Sequence, residues 1–400
     1  MKISAIIAEY NPMHNGHIYH IDETKKSSNS DGTICVMSGN FVQRGEPSII
    51  DKWERAKIAL LNGIDLVLEL PSIYAVSSAE FFAFGAVSLL NSLNIVNNLS
   101  FGSENGNIQD LYTLAEILTK EPDEYKIKLK TYINLGLPYY TARNNALSQL
   151  FPKNIDNLLT NSNNILGIEY CKSLIKLHSS INPITVKRIG DDYNNENITS
   201  NFPSATAIRK NLMFNTDLSS LASFMPNSTY EELLKLHNAN YNFVFKENLF
   251  QYLKYKCLSS ENHIDNIPDA SEGLHNKIYD CIISSNNINE LILKVKSKRY
   301  SYTRISRILC QYFIGFENYN TELLRKKPCP YARILGFNDR GREMLKLIKN
   351  SSNIPIYSKL PKKELLYECL KLDIQATNAY SILNKNVRPM SDYLISPIYL

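Results

Sequence analysis

The chain has 400 residues, 44% apolar and 21% charged, with a formal net charge of +5. Those proportions belong to a soluble globular protein of two or three domains and exclude a disordered chain, a collagen-like repeat and a small disulfide scaffold. The apolar start is cut short by Glu9, too early for a signal-peptide core, and the charge-free stretch 81–103 is interrupted by Asn91, Asn94, Asn97 and Asn98. No membrane span is expected. Seven cysteines lie far apart without a CxxC, as reduced cytosolic thiols do, so a cytoplasmic location is expected.

In chain order, strands are predicted at 2–8, 33–37, 66–70 and 95–101. Helices are predicted between them at 16–26, 52–62 and 77–92. Strands separated by helices of this length form βαβ units on a parallel sheet. Helical patterns follow at 111–136, 139–150 and 165–178, then a strand at 183–189 and a helix opening at 204–211. Beyond about 225 the strand signals fade. Helical periodicity recurs at 230–236, 245–258, 273–284, 288–298, 304–313, 340–349 and 362–372. The expected fold class is α/β: a Rossmann-like parallel sheet over 1–225, followed by a mostly α-helical part over 226–400.

The charge is not evenly spread. Residues 294–363 hold 17 Lys or Arg against 4 Asp or Glu, a balance of +13, which leaves −8 for the remainder. Tyr300, Tyr302, Tyr312 and Tyr331 are interleaved with these cations. Lysine and arginine bind phosphates, and tyrosine stacks on unpaired bases. The candidate nucleic-acid contacts are Lys296, Lys298, Arg299, Arg304, Arg307, Arg325, Lys326 and Lys327. The plainer alternative is a solvated basic face that serves only solubility.

The most specific local signal is HxGH, His14-Asn15-Gly16-His17, directly after the first predicted strand. Gly16 lets backbone approach a phosphate, and the helix start offers free N–H groups and a positive dipole end. Imidazoles at i and i+3 reach the same phosphate region and can stabilise charge as pyrophosphate leaves an α-phosphorus. His14 and His17 are therefore the candidate catalytic residues, with His20 close by. A metal site is not expected, because no nearby Cys or carboxylate completes a ligand set. Ser204, Thr206 and Arg209 open a later helix and can meet further phosphates. A parallel sheet gathers such strand ends along one crevice, where Ser38-Gly39-Asn40 and Phe101-Gly102-Ser103-Glu104 would also lie.

Longer strings carry a resemblance: AEYNPMHNGH (8–17), MSGNFVQRGEPSIIDKWERA (37–56), DLVLELPSIYAVSSAEFFAFG (65–85), FGSE (101–104), NNILGIEY (163–170), KRIG (187–190), SATAIRK (204–210), KRYSYTRISRIL (298–309) and YARILGF (331–337). HxGH with S-x-T-x-I-R resembles the HxGH nucleotidyltransferases. The full set, spread over nearly the whole chain, resembles the tRNA(Met) cytidine acetate ligase family. That resemblance implies N4-acetylation of the wobble cytidine of elongator tRNA(Met) from acetate and ATP, through acetyl-adenylate. It implies ATP contacts at Ile7, Ala8, Glu9, Tyr10, Asn11, Pro12, Met13, His14, Asn15, Gly16, His17, Ile18, Tyr19 and His20, and at Gly102, Asn163 or Asn164, Arg188 and Ile189. ATP would arrive with Mg²⁺, although no carboxylate cluster is dedicated to it. Acetate-pocket candidates are Gln43-Arg44-Gly45 and Ser78-Ala79-Glu80. Met13 stands where such motifs often carry Phe, and Ala205 removes one hydroxyl from the commoner I-S-S-T-x-I-R. The rival reading, a small-molecule adenylyltransferase, uses the HxGH site but has no use for the basic segment.

Overall fold

The computed structural model describes residues 1–137, 139–151, 156–189, 202–214, 217–259, 263–362 and 366–400. β1 (Ile3–Ala8) is apolar at nearly every position, as befits a central strand covered on both faces. α1 (Asn15–Ser28) returns to β2 (Gly32–Ser38), and the small antiparallel hairpin of β3 (Phe41–Val42) and β4 (Glu46–Pro47) follows. α2 (Lys52–Leu61) leads to β5 (Leu66–Leu70). α3 (Ser72–Ala75) and α4 (Ala79–Leu93) lead to β6 (Asn98–Ser103). The single helix expected over 77–92 is thus an α4 that starts after Ser78, with a separate short turn before it.

Five helices separate β6 from β7 (Asn182–Lys187) among the described residues: α5 (Ile108–Lys120), α6 (Asp123–Asn134), α7 (Tyr139–Ser148), α8 (Asp156–Thr160) and α9 (Ser162–Lys176). The helix expected over 111–136 is two. Glu121 turns left-handed at φ 43, and Pro122 starts the next helix. α10 (Ala205–Phe214) follows β7. Strands β1, β2, β5, β6 and β7 are mutually parallel in the order β5-β2-β1-β6-β7. The order reverses between β1 and β6, so the connections diverge there and a crevice opens beyond the strand carboxyl ends.

The later chain is helical as expected through α11 (Asn227–Asn238), α12 (Phe250–Ser259), α13 (Leu274–Ile283), α14 (Ile288–Val295), α15 (Tyr302–Ile314) and α16 (Thr321–Leu324). The expectation that strands end near 225 is corrected by what comes next. β8 (Ala332–Phe337) joins the same sheet antiparallel to β5, and β9 (Ile356–Tyr357) and β10 (Ile398–Tyr399) pair in parallel with β8. A short apolar run such as ARILGF has no period that separates strand from buried helix. α17 (Asp339–Ser351), α18 (Glu368–Leu383) and α19 (Ser391–Leu394) complete the described chain. The helix expected over 362–372 falls partly on 363–365, outside the described residues, and its described part runs on to Leu383. Among the described residues no helix is long and apolar enough to cross a membrane.

A buried charge cluster binds the later chain to the sheet. Lys52 Nζ lies 2.7 Å from both Glu69 Oε1 and Asp392 Oδ1. Arg333 Nη1 lies 3.2 Å from Glu69 Oε2 and 2.5 Å from Asp392 Oδ1. Burial works to raise the pKa of Asp392, but Lys52 and Arg333 outweigh it and hold the carboxyl down to about 2. Its stabilising contribution is therefore complete above the ordinary carboxylate pKa of about 4 and lost as pH falls toward 2. Removing one cation leaves two buried carboxylates under-compensated. Lys52→Met is expected to cost about 3–5 kcal/mol in urea unfolding at pH 7; a loss below about 1 kcal/mol would show that the cluster carries no such strain.

Candidate active site

The site is built on the turn after β1. Tyr10 adopts φ 48, and the chain reaches α1 with His14 as its N-cap. His14 Nδ1 accepts the Gly16 N–H at 3.1 Å, and His17 Nδ1 accepts the His14 N–H at 3.2 Å. This is a capping box made of two imidazoles, each satisfying an orphan donor of the helix start. A Cβ at Gly16 would lie only 3.0 Å from the His14 ring, so glycine is what lets that ring fold back. Because each Nδ1 accepts from a backbone N–H, the proton of each neutral ring sits on Nε2.

Electrostatics keep those rings neutral. Burial, then the charges of Arg188 and Arg209, push the His14 pKa down to about 3. Burial, then His14 and Arg188, hold His17 well below its ordinary value. Burial and Arg188 bring His20 down to about 4, and its Nε2 lies 3.1 Å from Ser100 Oγ. The His14 and His17 ring centroids are 3.8 Å apart. The pair thus presents adjacent Nε2–H donors at the positive end of a helix, beside the guanidinium groups of Arg188 and Arg209.

A cavity opens at the β1/β6 reversal. Ile7, Ala8, Glu9, Tyr10, Asn11, His14, Gly16, His17, Tyr19 and His20 line one side. Gly102, Arg188 and Ile189 line the β6/β7 side, with Asn163 from the start of α9, and Thr206 and Arg209 come from α10. Arg209 is held in place before any ligand arrives: Nη1 donates to Asn11 O at 2.8 Å and Nη2 to Glu46 Oε1 at 2.6 Å. Arg55 fixes the loop from behind, donating to the carbonyls of Glu9 at 2.7 Å, Ser38 at 3.1 Å and Gly39.

Some expected contacts lie outside this cavity. Pro12 and Met13 are buried behind the loop, and Ile18 packs on the core. Asn15 Nδ2 donates to Ser223 O at 2.9 Å. Asn163 faces the cavity, whereas Asn164 Oδ1 turns to accept the Asn105 N–H at 3.1 Å. Glu104 of the FGSE string caps α9, accepting from Asn163 N at 3.2 Å and Asn164 N at 2.9 Å. Ser204 Oγ accepts the Ala207 N–H at 3.0 Å and so caps α10. Gly190 of KRIG lies outside the described residues. Of the acetate-pocket candidates, Gln43 reaches the cavity and its N–H donates to Glu9 Oε1 at 2.8 Å, Gly45 packs on α15, and Glu80 pairs with Lys176.

Phe101, expected along the crevice, lines the cavity, and sequence reading missed Phe82, Leu166, Tyr170, Lys187 and Phe202, which line it too. A signal existed on α9, where Asn163, Leu166 and Tyr170 share one helical face. The others come from separate elements that only folding brings together.

The basic segment is less exposed than its count suggests. Arg325 is buried, paired with Asp269 at 3.0 Å and Glu322 at 2.5 Å, and stacked over Phe81. Arg333 belongs to the buried cluster. Arg304 donates to Asp269 O at 3.0 and 2.8 Å, and Arg307 beside it is largely enclosed. Lys296, Lys298, Arg299, Lys326 and Lys327 are exposed. Arg299 pairs with Glu272, and Lys326 with Glu322. Lys363, the last residue of the basic stretch, lies outside the described residues. Among the described residues no group of three His, Cys, Asp or Glu side chains is placed to hold a metal ion.

A reversing parallel sheet with HxGH capping the helix after its first strand defines a HIGH-type nucleotidyltransferase. Residues 1–392 match the family model described as HIGH Nucleotidyl Transferase. The chain is 54% identical to the tRNA(Met) cytidine acetate ligase of Clostridium novyi and 51% identical to that of Clostridium tetani, over the full length of each protein. It is also similar to the crystal structure of Thermotoga maritima TmcAL bound with alpha-thio ATP, at 36% identity, complete coverage of both chains and a TM-score of 0.89. The chain belongs to the tRNA(Met) cytidine acetate ligase family.

Neutral rings with fixed tautomers are directly observable. Nitrogen-15 spectra of histidine-labelled protein should show His14 and His17 as Nε2–H imidazoles from pH 8 down to about 5.5. Either ring titrating near its ordinary value of about 6.5 would contradict the assignment.

Proposed function

We propose that this chain is an ATP-dependent ligase that acetylates N4 of the wobble cytidine of elongator tRNA(Met). The observation that carries the proposal is the pair of Nε2–H donors on the capping imidazoles, set at a helix N-terminus between Arg188 and Arg209. The relatives' named reaction supports it.

The chemistry follows from two weak reactants. Free acetate is a poor acyl donor, and the exocyclic amine of cytosine is a poor nucleophile. An acetate oxygen attacks the α-phosphorus of ATP, the bond to pyrophosphate breaks, and acetyl-adenylate forms. The cytosine amine then attacks the acetyl carbon, the carbon–oxygen bond to AMP breaks, and the nitrogen loses a proton as AMP leaves. His14 and His17 donate to phosphate oxygens whose charge grows in the first step, and Arg188, Thr206 and Arg209 neutralise and orient the triphosphate. ATP is held by the cavity that residues 7–11, His14, Gly16, His17, Tyr19 and His20 form with Gly102, Asn163, Arg188 and Ile189. Magnesium enters as the counter-ion of ATP, and acetate enters beside Gln43 and Glu9.

On this reading residues 1–225 perform the activation and 226–400 bring the tRNA, with β8 joining the two. A wobble base is already unpaired, so presenting it costs less than flipping a paired one. The reaction belongs in the cytoplasm, where charged and uncharged tRNAs circulate.

The deciding assay supplies ATP, labelled acetate and tRNA(Met), then digests the RNA and seeks label in N4-acetylcytidine at the wobble position. No label there overturns the proposal. His14→Ala is expected to lower acetate-dependent pyrophosphate exchange by about 10²–10³-fold, the usual effect of deleting one preorganised donor. Filter binding of tRNA by the same variant should stay within about twofold, and equal loss of both would contradict the division of labour.

A further inference from the structure

A second cavity, of about 690 Å³, lies between α10 and α15 and shares Thr206 and Arg209 with the nucleotide cavity. Its volume falls within the about 300–1,000 Å³ typical of ligand sites. Arg44, Lys210 and Lys246 line it together with Phe214, Phe245 and Tyr302. Glu46 and Glu247 are the acidic residues among its lining, and Glu46 is paired with Arg209 at 2.6 Å. Cations and aromatic faces in one recess suit a phosphate and an unpaired base together. Phe214 stands at its edge with 72% of its surface exposed, so its ring face is open to a stacking base.

The recess has firm walls. Gly45 adopts φ 75 at the β3–β4 turn, and a Cβ there would lie 2.4 Å from Arg307 N. Ser306 Oγ donates to Gly45 O at 2.9 Å, clamping α15 to the hairpin. Lys246 Nζ donates to Tyr302 Oη at 2.5 Å, and Tyr302 Oη donates to Asn289 Oδ1 at 2.7 Å. Helical geometry then sorts α15. Tyr302, Thr303 and Ser306 face the recess, while Arg304 turns to Asp269 on another side.

We propose that this recess receives the unpaired acceptor nucleotide of the RNA, with its base on Phe214 and Tyr302 and its phosphates on Lys210 and Lys246. The inference rests on the RNA-acylating reading above and gives it a specific port. Continuity through Thr206 and Arg209 brings the base to the edge of the cavity where the acyl group would be activated.

The test uses the full chain and a fluorescent anticodon stem–loop RNA. Phe214→Ala and Lys210→Ala should each weaken RNA binding about tenfold, a typical effect of one stacked base or one phosphate contact. Phe214→Tyr, which keeps the π face, should bind like the parent. Acetate-dependent pyrophosphate exchange, which needs no RNA, should fall by less than about twofold in all three. If the parent acetylates tRNA and F214A binds and acetylates equally well, the inference is overturned and the functional reading stands. If exchange falls in step with RNA binding, the recess serves ATP and the inference is again overturned. If the parent binds the stem–loop in a Phe214-dependent way yet makes no N4-acetylcytidine, the port stands and the functional reading fails.

Discussion

Two cations one turn apart on α2 hold the molecule together from inside. Lys52 faces Glu69 and Asp392, and so joins the first strands to the end of the chain. Arg55 faces the carbonyls of Glu9, Ser38 and Gly39, the ends of two parallel strands that would otherwise carry unpaired acceptors. Both side chains are essentially buried, so each charge is costly to desolvate and is kept only because every neighbour is placed to meet it. One short helix thereby sets where β8 docks and where the loop carrying His14 begins.

That loop holds its histidines as uncharged, oriented rings. The capping box occupies both Nδ1 atoms with backbone N–H groups, and burial with nearby arginines suppresses protonation. Positive charge at the site comes from Arg188, Arg209 and the helix end, and the rings contribute directed Nε2–H bonds. Fixed donors of this kind need no reorganisation when phosphate charge develops. The same two rings cap the helix start and line the cavity, and their N-cap and N3 positions set the spacing of three residues.

The basic segment shows how charge counted along a chain differs from charge displayed on a surface. Arg325 and Arg333 are internal and paired, Arg304 is bonded to Asp269 O, and several exposed cations have acidic partners. The surplus is real, but part of it stabilises the helical half rather than facing a polyanion. Basic character also arises at the recess beside α10, where Arg44, Lys210 and Lys246 are far apart in sequence.

The sequence by itself determined the βα rhythm, the HxGH helix start, the Ser204–Arg209 helix and the family, because each is a local pattern whose physics lies within a few residues. Strand alternation, a glycine against an imidazole and a hydroxyl cap all act over one or two turns. Only the tertiary structure decided that 332–337 is a strand against β5, that Asn163 rather than Asn164 faces the cavity, that Phe82 and Phe202 join its wall, and which arginines are buried. Those outcomes depend on partners tens to hundreds of residues away, such as Glu69 for Arg333 and Asp269 for Arg325. Burial and pairing are properties of the packed whole, and no window along the chain contains them.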